Sequence, residues 1–183
     1  MNQSISINEQ NPSTPLTEIY DDLLTDKRVR VFVKREDLTD KFISGNKWYK
    51  LKYNLIEARN LGFDTLLTFG GAFSNHIHAT AAAGKAFGFK TIGIIRGEEH
   101  LPLNPTLLFA QDNEMHLEYI DRSSYRKKYD PELVKSWKDK FGDFYLIPEG
   151  GSNHLAVKGC AEIIPSINIK YDFICSACGT GGT

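Results

Sequence analysis

The sequence predicts an α/β fold built on a parallel sheet, and three observations support that prediction. Short apolar segments rich in β-branched residues alternate with segments that have helical patterning and crossover length. This alternation is typical of βαβ units, whose strands are covered by helices on both faces. Glycines follow several apolar segments, and ligands of such folds gather at the carboxyl ends of the strands. Functional residues are therefore expected at that edge.

The elements are assigned in chain order from hydrophobic patterning and from helix start and stop signals. Predicted strands cover residues 28–34, 64–71, 90–97, 114–122, 144–147 and 171–178. Predicted helices cover residues 48–62, 74–88, 104–113, 131–142 and 152–164. Residues 64–124 would form a compact unit of three strands, and the strands at 28–34 and 171–178 would belong to a second sheet.

Composition argues against several classes of protein. The 183 residues carry 22 basic and 23 acidic side chains, a net charge of −1, so neither nucleic acid nor an anionic membrane is indicated as a partner. No apolar run approaches the roughly 20 residues that span a bilayer. The polar start lacks a signal-peptide pattern. Three cysteines, an odd number, argue against a disulfide framework and favour the reducing cytoplasm as the location.

The last five residues, GTGGT (179–183), follow a predicted strand directly. A glycine-rich turn in this position normally leads into a helix, so we expect the chain to be a truncated piece of a longer protein. Successive backbone N–H groups in such a turn form an anion site that suits a phosphate. The alternative is a plain turn.

Lys47 is the first candidate for chemistry. It opens a predicted helix, where unpaired backbone N–H groups disfavour a cation. Lys50 lies one turn further on the same face, and its charge also disfavours protonation of Lys47. A helix terminus lowers a lysine pKa by roughly 1.5 units at most, so desolvation must supply the rest before Lys47 becomes a neutral Schiff-base lysine. The alternative is a solvated surface lysine.

Two further turns precede predicted helices. GGAFSNH (70–76) follows a predicted strand, and Ser74 or Asn75 there could simply be the helix N-cap. The residues around Ser74 do not match the G-x-S-x-G pattern of a hydrolase. PEGGSNH (148–154) has the same arrangement, and a capped helix start is again the alternative to a functional role.

The cysteines do not predict a metal site. Cys175 and Cys178 form a C-x-x-C pair, but zinc would need two further ligands at suitable spacing. Cys160 and His154 are six residues apart on a predicted helix, which separates them by nearly two turns. A thioredoxin-like pair would open a helix, whereas this pair lies on a predicted apolar strand. We therefore expect Cys175 and Cys178 to be small buried residues.

Taken together, five segments resemble the 1-aminocyclopropane-1-carboxylate deaminase and D-cysteine desulfhydrase family. In chain order they are KRED (34–37), SGNKWYKL (44–51), FGGAFSNH (69–76), PEGGSN (148–153) and GTGGT (179–183). The resemblance covers about residues 28–183. It implies a pyridoxal-phosphate enzyme with the fold of the tryptophan synthase β-subunit. That fold implies two α/β domains, with residues 1–49 and 146–183 in the larger and residues 50–145 in the smaller.

The resemblance also implies roles for individual residues. Lys47 would be the cofactor lysine and Lys50 a second catalytic lysine near the site, and a neutral Lys47 or Lys50 would be the proton shuttle. Ser74 would hold the substrate carboxylate or assist the chemistry, while Asn75 would hydrogen-bond the pyridoxal ring oxygen. The cofactor phosphate would lie against the GTGGT loop. The cofactor-binding residues implied in this way are Asn46, Lys47, Asn75, Gly179, Thr180, Gly181, Gly182 and Thr183.

Two single positions depart from the family, as does the segment PEGGSNHLAVKGC (148–160), which replaces glycines that the family often places within its helix. Tyr49 and His78 stand where members commonly have arginine, which bears on substrate choice more than on the cofactor. The implied activity is a lyase or deaminase acting on a small amino acid such as 1-aminocyclopropane-1-carboxylate or D-cysteine, giving a 2-oxo acid and ammonia. A homodimer is the implied assembly. A non-catalytic pyridoxal-phosphate sensor, a nucleotide-binding α/β protein and a purely structural fragment remain as alternatives.

Overall fold

The computed structural model describes residues 11–177 together with residues 179, 181 and 183. Its main sheet consists of β3 (Thr65–Gly70), β4 (Lys90–Arg96), β5 (His116–Ile120) and β6 (Tyr145–Leu146). The four strands are parallel and lie in the order β5-β4-β3-β6. The predicted α/β class and the predicted parallel sheet are both confirmed.

A separate two-stranded sheet lies before the main one in the chain. It pairs β1 (Leu16–Ile19) with β2 (Val31–Lys34) in antiparallel register, and α1 (Asp22–Lys27) connects them. The strand predicted at 28–34 is confirmed over its last four residues. The sequence predicts only a polar lead-in where β1 lies, because four residues are too few to show a period.

The remaining helices flank the strands. They are α2 (Asn46–Asn60), α3 (Asn75–Phe87), α4 (Pro105–Asp112), α5 (Arg122–Arg126), α6 (Pro131–Phe141) and α7 (His154–Ala161). Five of them begin at a side chain that accepts first-turn backbone N–H groups. These caps are Ser74, Asn104, Asp121, Asp130 and Asn153. No helix in the described ranges has both the length and the apolar character needed for a membrane crossing.

The hydrophobic core lies on both faces of β3, which is buried at all six positions. Leu66 packs with Leu51 and Leu55 of α2 on one face, whereas Leu67 and Phe69 pack in a different cluster on the other. Fully burying a side chain of this size stabilises the fold by about 1.5–3 kcal/mol. Packing on both faces therefore holds the carboxyl end of β3 in place, and the loop to α3 begins there.

The predicted strand at 171–178 is wrong over the residues that can be compared. Residues 171–177 are irregular and exposed, and position 178 lies outside the described residues. Phe173 is 88% exposed and Ile174 is 53% exposed. A strand needs a neighbouring strand for its backbone groups, and none of the described strands lies beside this segment. Cys175 is exposed for the same reason, so its predicted burial is wrong, and Cys178 is not described.

The predicted division into two domains stays a prediction. Helix α2 runs across the predicted boundary after residue 49, and β6 lies at the predicted boundary before residue 146. The strands assigned to the smaller domain, β3 to β5, do share one sheet, and that sheet also includes β6.

Helix α7 packs against α2 at very short range. A Cβ atom built on Gly159 would lie 2.0 Å from the carbonyl oxygen of Tyr49 and 2.8 Å from its carbonyl carbon. Such distances are far below van der Waals contact, so only glycine fits at this point of the α7 surface. The contact positions the turn of α2 that carries Lys47 and Lys50.

We expect the substitution Gly159→Ala to destabilise the protein. Alanine is favoured over glycine inside a helix by about 1 kcal/mol. A clash with a backbone carbonyl cannot be relieved by rotating a side chain, and a contact this short belongs at the upper end of the usual overpacking cost of about 1–3 kcal/mol, which exceeds that gain. Urea denaturation should therefore show a lower free energy of unfolding.

Gly179→Ala is the matched control, since an added Cβ there has no heavy atom within 4 Å. Its free energy of unfolding should stay within about 0.5 kcal/mol of the unsubstituted protein. Equal stability of the Gly159→Ala variant and the parent protein would contradict the proposed packing constraint.

Candidate active site

Lys47 lies in the first turn of α2, directly after Gly45 and Asn46. Gly45 has φ 65° and ψ −146°, a backbone conformation that glycine adopts and other residues avoid. Because Gly45 has no side chain, it caps none of the first N–H groups of α2. The positive end of the helix dipole therefore adjoins Lys47, as the sequence predicts.

Lys47 is half-buried, and its pKa is lowered from 10.5 to about 8. Desolvation by burial is the largest cause, and the charge of Lys50 is the second. At pH 8 about half of the Lys47 side chains are then neutral. The alternative of a solvated surface lysine does not describe this residue, and burial contributes most of the shift, as expected from the sequence.

Lys50 is 1% exposed, and the turn Glu149–Gly151 lies against it. Its Nζ atom lies 3.4 Å from the carbonyl oxygen of Gly150 and 3.5 Å from Oγ of Ser152. Burial lowers the pKa of Lys50 below its ordinary value. The segment PEGGSN, for which a capped helix start was the alternative, thus also contacts the second lysine.

His76 lies close to both lysines and is buried. Its Nε2 atom is 2.8 Å from Oγ1 of Thr68, and that hydroxyl donates to the carbonyl oxygen of Ile147 at 2.9 Å. Since the hydroxyl has one proton, it accepts a hydrogen bond from Nε2–H. Nδ1 is then the acceptor nitrogen, and it is buried without a hydrogen-bond partner among the described atoms.

Burial lowers the pKa of His76 to about 3, with further contributions from the charges of Lys47 and Lys50. His76 is therefore a neutral acceptor rather than a cation near the lysines. Sequence patterning does not identify this residue as functional. The signal that could have identified it is Thr68, a hydroxyl inside an otherwise apolar strand, followed by a histidine in the first turn of the next helix.

Asn46 contacts the glycine-rich end of the described chain. Its Nδ2 atom donates to Oγ1 of Thr183 at 2.8 Å, so two residues assigned to one cofactor site by the resemblance do meet. Gly181 has φ 75°, a conformation that favours glycine. Of the other predicted phosphate-binding residues, Gly179 is exposed, whereas Thr180 and Gly182 lie outside the described residues.

Ser74 caps α3. Its Oγ atom accepts the backbone N–H groups of His76 at 3.2 Å and Ile77 at 3.3 Å, which agrees with the capping alternative. Capping uses the lone pairs of the hydroxyl and leaves its proton available.

Asn75 is exposed, and its side chain makes no hydrogen bond to another described residue. A Cβ on Gly70 would lie 2.7 Å from Ser74 Oγ, so this strand end requires glycine.

The two positions that depart from the family have structural contacts. Tyr49 is buried, and its hydroxyl donates to Oε2 of Glu36 at 2.8 Å, while Oε1 of Glu36 accepts from Thr14 at 2.9 Å. Burial and the bond to Glu36 raise the pKa of Tyr49. His78 stacks on Phe109 with ring centroids 3.7 Å apart. Glu36 belongs to the KRED segment, which thereby anchors α2.

Several curated proteins are similar to this chain, although no protein-family model matches it. A Pyrococcus horikoshii protein provisionally named 1-aminocyclopropane-1-carboxylate deaminase is 36% identical over 161 residues, which cover 84% of this chain and 48% of that protein. A Thermotoga maritima protein with the same provisional name is 38% identical, with coverages of 84% and 51%. The mitochondrial bifunctional D-cysteine desulfhydrase/1-aminocyclopropane-1-carboxylate deaminase of Arabidopsis thaliana is 32% identical, with coverages of 84% and 43%.

Solved structures show the same likeness. A crystal structure of a homologue of 1-aminocyclopropane-1-carboxylate (ACC) deaminase has a TM-score of 0.73 to this chain at 27% identity. The aligned residues cover 94% of this chain and 55% of the homologue's chain. A pyridoxal 5'-phosphate-dependent aspartate racemase has a TM-score of 0.65 at 17% identity, with coverages of 87% and 46%, and shares the fold. The chain thus has the α/β fold of these enzymes.

The resemblance found in the sequence is confirmed by these comparisons. Over the matched residues, the chain is related to the 1-aminocyclopropane-1-carboxylate deaminase and D-cysteine desulfhydrase family. It spans about half the length of the curated relatives that it matches.

We expect Lys50→Met to raise the pKa of Lys47 above about 8, because methionine keeps an apolar stem and removes the neighbouring charge. The measurement is the pH dependence with which an amine-reactive reagent labels the Lys47 peptide, followed by mass spectrometry. Lys135→Met, which removes an exposed lysine of α6, is the control and should leave the profile unchanged. An identical Lys47 profile in the Lys50→Met variant would contradict the coupling between the two lysines.

We expect the Cε1–H NMR signal of His76 to stay constant between about pH 5 and pH 8. Its pKa of about 3 means that protonation, and the cost of a buried cation, arise only in strong acid. A titration of this signal with a midpoint near the ordinary histidine value of about 6.5 would contradict the assignment of His76 as a neutral acceptor.

Proposed function

We propose that this chain is part of a pyridoxal-phosphate-dependent enzyme that removes the amino group of a small amino acid. The products would be a 2-oxo acid and ammonia, with sulfide as well when the substrate is D-cysteine. The observation that carries the proposal is Lys47, a half-buried amine with a pKa of about 8 at the start of α2. The relatives named for 1-aminocyclopropane-1-carboxylate and D-cysteine support the substrate class.

The described residues fit pyridoxal phosphate, which needs a reactive amine, a phosphate cradle and polar partners for its ring. Lys47 supplies an amine that is often neutral near pH 8. The glycine-rich loop adjoins the start of α2 through the Asn46–Thr183 hydrogen bond, and backbone N–H groups there suit a phosphate. Asn75 has an exposed amide with no partner among the described residues.

The protein's own contribution would be to bind, orient and move protons. Pyridoxal phosphate, when bound, supplies an electron sink for the carbon that loses a proton. Lys47 would hold the cofactor and, when released, exchange a proton with the substrate, since a pKa near 8 suits both directions. Lys50 would keep that pKa low and serve as a second amine near the site. The Ser74 hydroxyl would donate a hydrogen bond to a substrate carboxylate.

Assembly as a homodimer and location in the cytoplasm stay predictions from the sequence. The proposed roles of Lys50, Ser74 and Asn75 rest on the resemblance together with their positions around His76 and α2. For Thr180 and Gly182 the resemblance alone supports a place in the phosphate loop.

We expect covalent capture of the cofactor on Lys47. After incubation with pyridoxal phosphate and reduction with sodium borohydride, the Lys47 peptide should carry a stable label that mass spectrometry detects. Lys47→Ala should abolish this label, whereas Lys85→Ala, which removes an exposed lysine of α3, should not. If the Lys47→Ala variant took up as much label per chain as the parent protein, the assignment of Lys47 would be refuted.

Turnover is tested separately on the full-length protein with 1-aminocyclopropane-1-carboxylate and a panel of D- and L-amino acids. Release of 2-oxo acid, ammonia or sulfide supports the proposed activity. A spectral change without product release would favour the non-catalytic sensor, and NAD or ATP in the purified protein would favour the nucleotide-binding alternative.

A further inference from the structure

A cavity opens at the carboxyl edge of the parallel sheet, apart from the candidate active site. Its volume is about 600 Å³, and its lining includes Gly71, Arg96, Arg122, Arg126, Lys128 and Glu149. Gly71 follows β3, Arg96 is the last residue of β4, and Arg122 begins α5 directly after β5. Parallel α/β sheets bind ligands at this edge. None of the residues proposed above to bind pyridoxal phosphate lines this cavity.

The cavity is strongly cationic. Its lining has four basic side chains and one carboxylate, a net of three positive charges, in a chain whose total charge is −1. Lys128 is paired, since its Nζ atom lies 3.1 Å from Oε2 of Glu149. No described carboxylate lies within ion-pair distance of the guanidinium groups of Arg96, Arg122 or Arg126. Three planar cations therefore gather here without a counter-ion among the described residues.

One wall of the cavity is held by contacts that do not use these guanidinium groups as hydrogen-bond donors. Tyr125 is buried, and its hydroxyl donates to Oε1 of Glu149 at 2.8 Å. The Lys128 ammonium lies 4.6 Å from the centroid of the Tyr125 ring, and the Arg96 guanidinium lies 5.7 Å from it. A Cβ on Gly71 would lie 3.4 Å from a terminal nitrogen of Arg96, an ordinary van der Waals distance, so Gly71 borders that guanidinium directly.

We propose that this cavity binds a small organic polyanion with at least two carboxylate or phosphate groups. A guanidinium group pairs with carboxylate and phosphate through two parallel hydrogen bonds, so an anion suits three arginines that have no carboxylate partner among the described residues better than a neutral ligand does. A cavity of this volume is in the range of small-molecule sites. A ligand with one negative charge would leave most of the cationic lining uncompensated.

The site also adjoins the residues around Lys50. Glu149 lines the cavity, and the next residue, Gly150, places its carbonyl oxygen 3.4 Å from Lys50 Nζ. The turn Glu149–Gly151 therefore contacts both the cavity and the second lysine of the candidate active site. The proposal does not depend on the deaminase activity, because the charge and volume of the cavity stand without it.

The test is isothermal titration calorimetry at constant ionic strength, with pyrophosphate, citrate and acetate as probes and with pyridoxal phosphate present in saturating amount. We expect saturable binding of pyrophosphate or of citrate with a stoichiometry of one, and no binding of acetate. Tighter binding of pyrophosphate would assign phosphate groups to the natural ligand, and tighter binding of citrate would assign carboxylates. Absence of saturable binding by both polyanions would overturn the proposal.

Two variants and a control locate the binding. Arg96→Gln and Arg122→Gln should each weaken polyanion binding by about tenfold, the loss expected for one charged hydrogen-bonding group. Lys135→Gln removes one positive charge from the exposed side of α6 and should leave the affinity unchanged.

Circular dichroism confirms that each variant is folded. If Arg96→Gln and Arg122→Gln bound the polyanion as tightly as the parent protein and the control variant do, the proposed site would be contradicted. Polyanion binding that occurs only in a parallel titration without pyridoxal phosphate, and that Arg96→Gln and Arg122→Gln leave unchanged, would assign the anion to the GTGGT loop and would contradict the proposal.

Discussion

The burial of two lysines one turn apart on α2 is the constraint on which the candidate site depends. Gly159 lets α7 approach the backbone of Tyr49, and the Tyr49 hydroxyl binds Glu36, so α2 is held from two sides. The position of α2 removes water from Lys47 and Lys50 and keeps their charges close. If α2 moved away, water would restore the ordinary pKa of Lys47, and its amine would be protonated near neutral pH.

Much of the fold could be predicted because strands buried on both faces appear as continuous apolar runs. The segments that form β3 and β4 are of this kind, and the helices that follow them carry clear caps. The prediction is wrong at 171–177, since an apolar run does not show whether a neighbouring strand exists to pair with it. It omits β1 because four alternating residues are too few to establish a period.

The candidate site could be predicted in part. Lys47 stands out because a cation is unfavourable at a helix start, and the resemblance assigned Asn46 and Thr183, which do meet. His76 could not be selected in this way, since its role follows from burial and from the bond to Thr68 across two elements. The cationic cavity collects side chains from the ends of three strands, and the sequence does not show which of those charges find a partner.

A direct measurement of the Lys47 pKa tests the account most sharply. The protein, with its lysine side chains isotope-labelled, is titrated from pH 6 to pH 11 while the NMR signal of the Lys47 Cε carbon is followed, and Lys47→Arg assigns that signal. Burial beside Lys50 predicts a midpoint near 8. A midpoint near 10.5, the value for an unperturbed lysine, would contradict the account, because the amine would then be a solvated cation.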